Sequence, residues 1–486
     1  MHPALTPLPL TSLPAWCKLN GVSFLDTTIS SLPSGRGNGI VSTKALNSLD
    51  TYDIPTLLEV GKDVVLDGDL LLEMQRVDKG FRDLGECMRR KETMLFLLMQ
   101  ITNAVQGEED KSVGLSNPWT EYVRLLPEYV PIPTMWSEEE RLLLAGTSLE
   151  SAVQAKMAAL VREFEELREK TSEIPWCNKC WWDNDSLTLS DWIRLDAWFR
   201  SRSLELPTSG EVMVPCLDMA NHSSAPNGYY EQTSSGDISL LLRPNMQLQQ
   251  GTEITISYGS GKSDAEMLFS YGFIDRDSTI AELVLDLEPM PEDPLGKAKV
   301  AAFRGRQVVR IWGDEEENIH WESSFLYLLC LNEEDGLEFK VLQEIDGSRS
   351  PLRVFWQGSD VTESTDTFES LIRSHELVDI FKLRAVTILQ DRIRQQLERL
   401  YGSEDMAESL ETSTAAMISE DAKDSAMRLR RTETAIMEAA YETVETEKTE
   451  FLKNESVLKY LGAMDSSQME DSPPEPTDAN DEEDFS

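Results

Sequence analysis

Apolar and polar residues alternate over short stretches at the start of this 486-residue chain, at Val22 to Leu25 and again at Ile40-Val41. Between them lies Gly35-Arg36-Gly37-Asn38-Gly39. The pattern predicts short strands and tight turns, and the glycines predict backbone at positive φ or pressed close to a neighbour. From about Lys91 to Lys170 the period becomes helical, beginning with Met94-Leu95-Phe96-Leu97-Leu98. After a connector rich in Pro and Trp, Ser137-Glu138-Glu139-Glu140 has the spacing of a capping box, and Leu142, Leu149, Val153, Met157 and Leu160 keep the helical period. Strand character returns at Ile238 to Leu242 and Glu253 to Tyr258, set apart by Pro244 and Gly251. From about Glu288 a mixed segment leads into long amphipathic helices, predicted over Phe368 to Tyr401 and about Asp421 to Tyr460. Residues 463–486 hold Ser, Pro and acids without Lys or Arg, and too little apolar surface to fold alone.

Composition narrows the class. With 40% hydrophobic and 27% charged residues and 11 Trp, the chain reads as soluble and globular, long enough for two or three domains. No apolar run reaches the roughly 18–20 residues of a membrane span, and Met1 to Trp16 lacks the basic start of a secretory signal. Six scattered cysteines suit a reducing compartment, so an intracellular protein, in nucleus and/or cytoplasm, is expected. A net charge of −42 argues against direct binding of nucleic acid and matches a basic protein partner, although acidity also serves solubility alone. His222 has no histidine cluster around it, and Cys177-x-x-Cys180 is a single pair beside Trp176, Trp181 and Trp182, so no metal is expected.

Four segments carry candidate chemistry: Gly35 to Ile40; Arg200-Ser201-Arg202; Asp218 through Asn221-His222-Ser223; and Tyr258 running on to Tyr271-Gly272-Phe273. Each has an ordinary reading of its own. The glycines fit a plain turn, Asp218 and Asn221 fit caps or Asx turns, and Tyr258 and Tyr271 fit buried strand positions. Together and in this order they resemble the SET domain, where a GxG turn is followed far downstream by an NHS motif, a Tyr-Gly and a YGF-like segment. Trp119-Thr120-Glu121-Tyr122, Leu126-Pro127, Pro131-Ile132-Pro133 and Trp136 are similar to the branch that includes the plant Rubisco large-subunit methyltransferase and the fungal ribosomal-protein lysine methyltransferases. Where many relatives have K-S-N after the active-site tyrosine, this chain has Lys262-Ser263-Asp264, preceded by Gly259-Ser260-Gly261.

The resemblance implies an α+β, SET-type β-clip fold of short sheets over residues 1–275, with a helical insertion at about 60–190. It further implies an all-α, substrate-binding C-terminal domain at 276–462, and composition leaves residues 463–486 as a disordered acidic tail. It implies S-adenosylmethionine-dependent methylation of a lysine amine on a non-histone, ribosomal or other basic protein; a monomer is expected, and charge and hydropathy point to neither nucleic acid nor membrane as its partner. A histidine acceptor, or a binding scaffold with little catalysis, are the alternatives. Carried over by position, Tyr258 would be catalytic. Arg36, Gly37, Asn38, Gly39, Arg202, Asp218, Asn221, His222 and Phe273 would hold the cofactor, and Tyr258, Tyr271 and Phe273 would form the substrate channel.

Overall fold

The alternating stretches fold as strands. The computed structural model describes residues 5–33, 37–50, 54–88, 91–105, 115–183, 185–259, 261–275, 282–314, 316, 318–343, 349–412 and 418–470. In it Thr27–Ser31 pairs antiparallel with Asn38–Ser42, which pairs antiparallel with Glu253–Ile256, and that strand lies parallel to Asn221–His222. A second sheet, all antiparallel, runs in the order Ser23–Phe24, Thr56–Val60, Ile238–Leu242, Gly228–Gln232. Strands from both ends of the segment thus close one core: Ile40 sits opposite Ile254, and both are buried.

The chain between them is the expected helical insertion. Glu92–Val105 is buried continuously from Met94 to Thr102, which explains why its apolar run shows no polar face. The capping box forms, with Ser137 Oγ accepting from Glu140 N and the Glu140 carboxylate from Ser137 N. The helix it starts spans only Glu138–Leu142, however, so the long period through Leu160 is two helices rather than one. Gly146, at φ +79°, turns the chain before Ser148–Thr171, and Leu142 is left exposed while Leu143 and Leu144 are buried.

The chain divides into two compact units, Met1–Ile280 with Ser403–Arg431, and Ala281–Gly402 with Thr432–Ser486. The sequence reading assigns 403–431 to the C-terminal domain. In the structure Ile418, Ala422, Ala426 and Leu429 are instead buried with Trp136, Leu143, Leu144, Leu268 and Ile274 of the first unit. Polar contacts hold the segment as well: Ser419 N donates to Glu140 Oε1 at 2.9 Å, and Ser403 Oγ donates to the Ala145 carbonyl at 2.8 Å.

In the second unit the two expected helices are present from Phe368 onward, but each is broken: the first into Phe368–Ile372 and Val378–Gly402, the second into Glu420–Leu452 (in this unit from Thr432) and Glu455–Glu470. The last of these includes residues 463–470, which composition assigns to the tail; residues 471–486 lie outside the described ones. An all-α domain is not the whole description, because two three-stranded antiparallel sheets precede the helices, Glu282–Asp286, Val308–Gly313 and Ile319–Glu322, then Leu337–Gln343, Arg349–Trp356 and Ser359–Asp360. Their alternation, such as Leu283 and Leu285 facing Ile311 and Val309, lasts too few residues to stand out from the acids around it.

Candidate functional site

The site is assembled where the parallel strand pair ends. Asn221–His222 runs beside Thr255 and Ile256, and the chain then turns so that Tyr258 N donates to His222 Nδ1 at 3.1 Å. The Tyr258 ring lies among three others, with centroids 4.6 Å from Tyr271, 5.3 Å from His222 and 6.4 Å from Phe273. Its hydroxyl donates to the Ala220 carbonyl at 2.9 Å. Burial pushes the Tyr258 phenol well above its ordinary value, Tyr271, Asp218 and Glu253 add to this, and Arg202 opposes it. The group keeps its proton.

Tyr271 and Phe273 are placed by the helix Asp264–Tyr271. Its N-terminus is closed by a capping box between Ser263 and Glu266, so the Lys262-Ser263-Asp264 departure produces an ordinary helix start. Its C-terminus ends on Gly272 at φ +83°, where an added Cβ would lie 2.6 Å from the Pro131 carbonyl carbon. Tyr271 is therefore the last helical residue, and its hydroxyl reaches the Tyr258 carbonyl at 3.4 Å.

Arg202 closes another helix, Leu189–Arg202, which starts at a Thr188/Asp191 capping box. Its Nη1 donates at 3.0 Å both to the Asp218 carboxylate and to the Asp218 carbonyl. Its Nε is buried with no hydrogen-bond partner among the described residues. The neighbouring Arg200 also lines the cavity and its Nε too has no partner among the described residues, but its Nη1 and Nη2 are both engaged, by Phe269 O, Thr134 and Asp196.

The glycine turn lies across the sheet. An added Cβ on Gly39 would meet Leu32 Cδ1 at 2.7 Å and Asn221 Nδ2 and Glu253 Oε1 at 3.1 Å each, so the bare glycine lets the Asn221 and Glu253 side chains lie against the strand. Asn221 Nδ2 donates to Glu253 Oε1 at 2.8 Å and to the Asn38 carbonyl at 3.3 Å. Arg36 and Gly35 fall outside the described residues.

The predicted residues thus form two groups joined at Tyr258. Asn38, Gly39, Asn221 and His222 sit on the sheet that contains Glu253–Ile256, and Gly37 directly precedes its Asn38–Ser42 strand. Arg202, Asp218, Tyr258 and Tyr271 line a cavity of about 970 Å³, which Phe273 does not line. Sequence reading missed the hairpin Ser203–Leu206/Gly210–Met213 and Tyr230, which supply much of the cavity wall, and the Ala220 carbonyl that orients Tyr258. No local signal marks them. Cys177 and Cys180 pack beside Trp176, Trp181 and Trp182, and among the described residues no cluster of His, Cys, Asp and Glu could hold a metal ion.

No family model matches the chain. It is 29% identical over 306 residues to "SET domain-containing protein 8" of Schizosaccharomyces pombe, a match covering 61% of this chain and 68% of that protein. It is 27% identical over 318 residues to the pea chloroplast ribulose-1,5-bisphosphate carboxylase/oxygenase large subunit N-methyltransferase, covering 63% and 59%. Among solved structures, the SET domain of LSMT bound to lysine and AdoHcy superposes with a TM-score of 0.64 at 20% identity, over 91% of this chain and 93% of that one. The chain has the SET-type fold. In sequence it is similar to SET-domain proteins and to named lysine methyltransferases.

The electrostatics of this SET-type fold are asymmetric. Burial lowers the His222 imidazole below its ordinary value, which Asp275 at 3.4 Å partly offsets, so His222 is neutral and its Nδ1 can accept from Tyr258. Glu205 and Glu211 stand exposed on the cavity wall. Among the described residues no helix is long and apolar enough to cross a membrane.

Proposed function

We propose that this chain is a protein lysine methyltransferase that takes its methyl group from S-adenosylmethionine. The observation that carries the reading is the Tyr258 hydroxyl, protonated, half-buried and committed as donor to the Ala220 carbonyl on the wall of a cavity that also holds Arg202. With its proton so committed, the oxygen turns only acceptor lone pairs outward. An amine has N–H groups to give them, and polarised methyl C–H groups can use them too.

The residues fit the cofactor. Gly39 brings backbone against Asn221 where any side chain would intrude, and Arg202 keeps a buried, unpartnered Nε–H suited to a carboxylate. Asn38, Gly39, Asn221 and His222 would hold it from the sheet, Gly37 from the residue before it, and Arg202 from the helix end. When bound, S-adenosylmethionine supplies a methyl group on a positive sulfur. This chain's part is to align the acceptor nitrogen and to strip it of water between Tyr258 and Tyr271, which lowers the amine's proton affinity before attack. A phenol that keeps its proton throughout the working pH range is a poor general base, so Tyr258 positions and does not deprotonate.

The acceptor belongs to a basic, non-histone protein such as a ribosomal one, met in the nucleus or cytoplasm; the net charge of −42 supports that partner. The test is incubation of the purified chain with tritiated S-adenosylmethionine and isolated ribosomal proteins, followed by mass spectrometry of the labelled peptides. Label on lysine is the expected result. Label on histidine would overturn the acceptor assignment, and absence of both label and S-adenosylhomocysteine binding would leave only a scaffold.

A further inference from the structure

Tyr122 closes a short helix, Pro118–Tyr122, and is fully buried between Trp16 and Trp119, with ring centroids 4.8 and 5.3 Å away. Core packing alone would be served by phenylalanine. The hydroxyl, however, donates to Asp218 Oδ1 at 2.5 Å and accepts from Cys216 N at 2.7 Å. Asp218 is almost wholly buried, and its other oxygen holds Arg202 Nη1 at 3.0 Å. Cys216 is one of the few residues other than glycine at positive φ, +70°, a conformation that needs outside support. That support is the Tyr122 hydroxyl on its amide and the Cys17 thiol, 3.6 Å from its sulfur.

We infer that Tyr122 is a positioning residue for cofactor recognition: through Asp218 its hydroxyl fixes the Arg202 guanidinium, so that the unpartnered Nε–H keeps one direction. The inference rests on the reading of Arg202 as the group that takes the cofactor's carboxylate. Burial, and then the negative Asp218, raise the Tyr122 phenol well above its ordinary value, so it stays a donor across the working pH range. Without the hydroxyl, Asp218 keeps Arg202 but loses its own anchor, and the guanidinium gains freedom that binding must remove.

The experiment compares two ligands by calorimetry: S-adenosylhomocysteine, which carries the amino-acid carboxylate, and 5′-methylthioadenosine, which lacks it. Tyr122→Phe is expected to weaken S-adenosylhomocysteine about tenfold and to leave methylthioadenosine within about twofold. In an Arg202→Ala background Tyr122→Phe should cause no further loss, because both act through one contact. Should Tyr122→Phe fail to fold, Asp218→Asn is read in the same way, with the same selective loss expected. Equal weakening of both ligands, no weakening of either, or additivity with Arg202→Ala would overturn the positioning role. A folded Arg202→Ala protein with normal S-adenosylhomocysteine affinity would instead overturn the underlying assignment of Arg202.

Discussion

Tyr258 and His222 are tied by one hydrogen bond, and each makes a separate prediction. Tyr258→Phe removes the hydroxyl on Ala220 and keeps the ring that packs on Tyr271. Turnover should fall roughly ten- to a thousandfold, the range of one positioned polar group, while S-adenosylhomocysteine affinity barely moves. Single-turnover methylation beside thermal denaturation checks it: a folded variant with wild-type turnover would remove Tyr258 from the mechanism. His222 is held neutral by burial, so the folded protein takes up that proton at lower pH than the unfolded chain does. Below about pH 6.5 the unfolded chain therefore binds more protons, and stability falls as the pH drops through that window. Protonation also removes the Nδ1 acceptor of Tyr258 N. Melting temperatures between about pH 7 and 5.5 should fall more steeply for the wild type than for His222→Gln, and parallel curves would show that His222 does not titrate in this window.

At the scale of elements, the turn after Asp264–Tyr271 carries the most exposed dependence on one residue. Gly272→Ala puts a Cβ at left-handed φ and 2.6–2.9 Å from the Pro131 and Ile132 backbone, which cannot rotate away as a side chain could. Overpacking of this kind costs about 1–3 kcal/mol, and the displaced Tyr271 and Phe273 should add a loss of turnover. Urea denaturation reads the first effect; an unchanged midpoint would mean that the Pro131 segment yields freely. How much of this was legible follows from distance along the chain. The short strands, the Ser137 capping box and the order of glycine turn, Asn221-His222 and Tyr258 are local patterns, and sequence carries local patterns well. The Tyr122 to Asp218 bond spans 96 positions, and nothing beside Tyr122 announces its partner. The six strands after Ala281 were hidden for another reason, since a five-residue alternation such as Glu282–Asp286 is too brief to outweigh its acidic setting. One expected helix became two because Gly146 turns the chain inside an apolar period that continues across it.

For the whole molecule, the decisive feature is that the first unit is discontinuous, Met1–Ile280 being completed by Ser403–Arg431. Residues 1–280 expressed alone should uncover Trp136, Leu143, Leu144, Leu268 and Ile274, and each large apolar side chain left in water forfeits about 1.5–3 kcal/mol. The fragment is expected to melt well below the full chain and to recover when residues 403–431 are co-expressed; a fragment melting with the full chain would refute this. Glu140 would lose its bond from Ser419 at the same time. The same arrangement sets a clock on biosynthesis. At about 5–20 residues per second, the ribosome needs on the order of ten seconds or more after Ile280 to deliver Arg431. Through that interval the nascent first unit has a bare apolar seam, a target for chaperones, and it cannot finish folding until most of the second unit has left the exit tunnel.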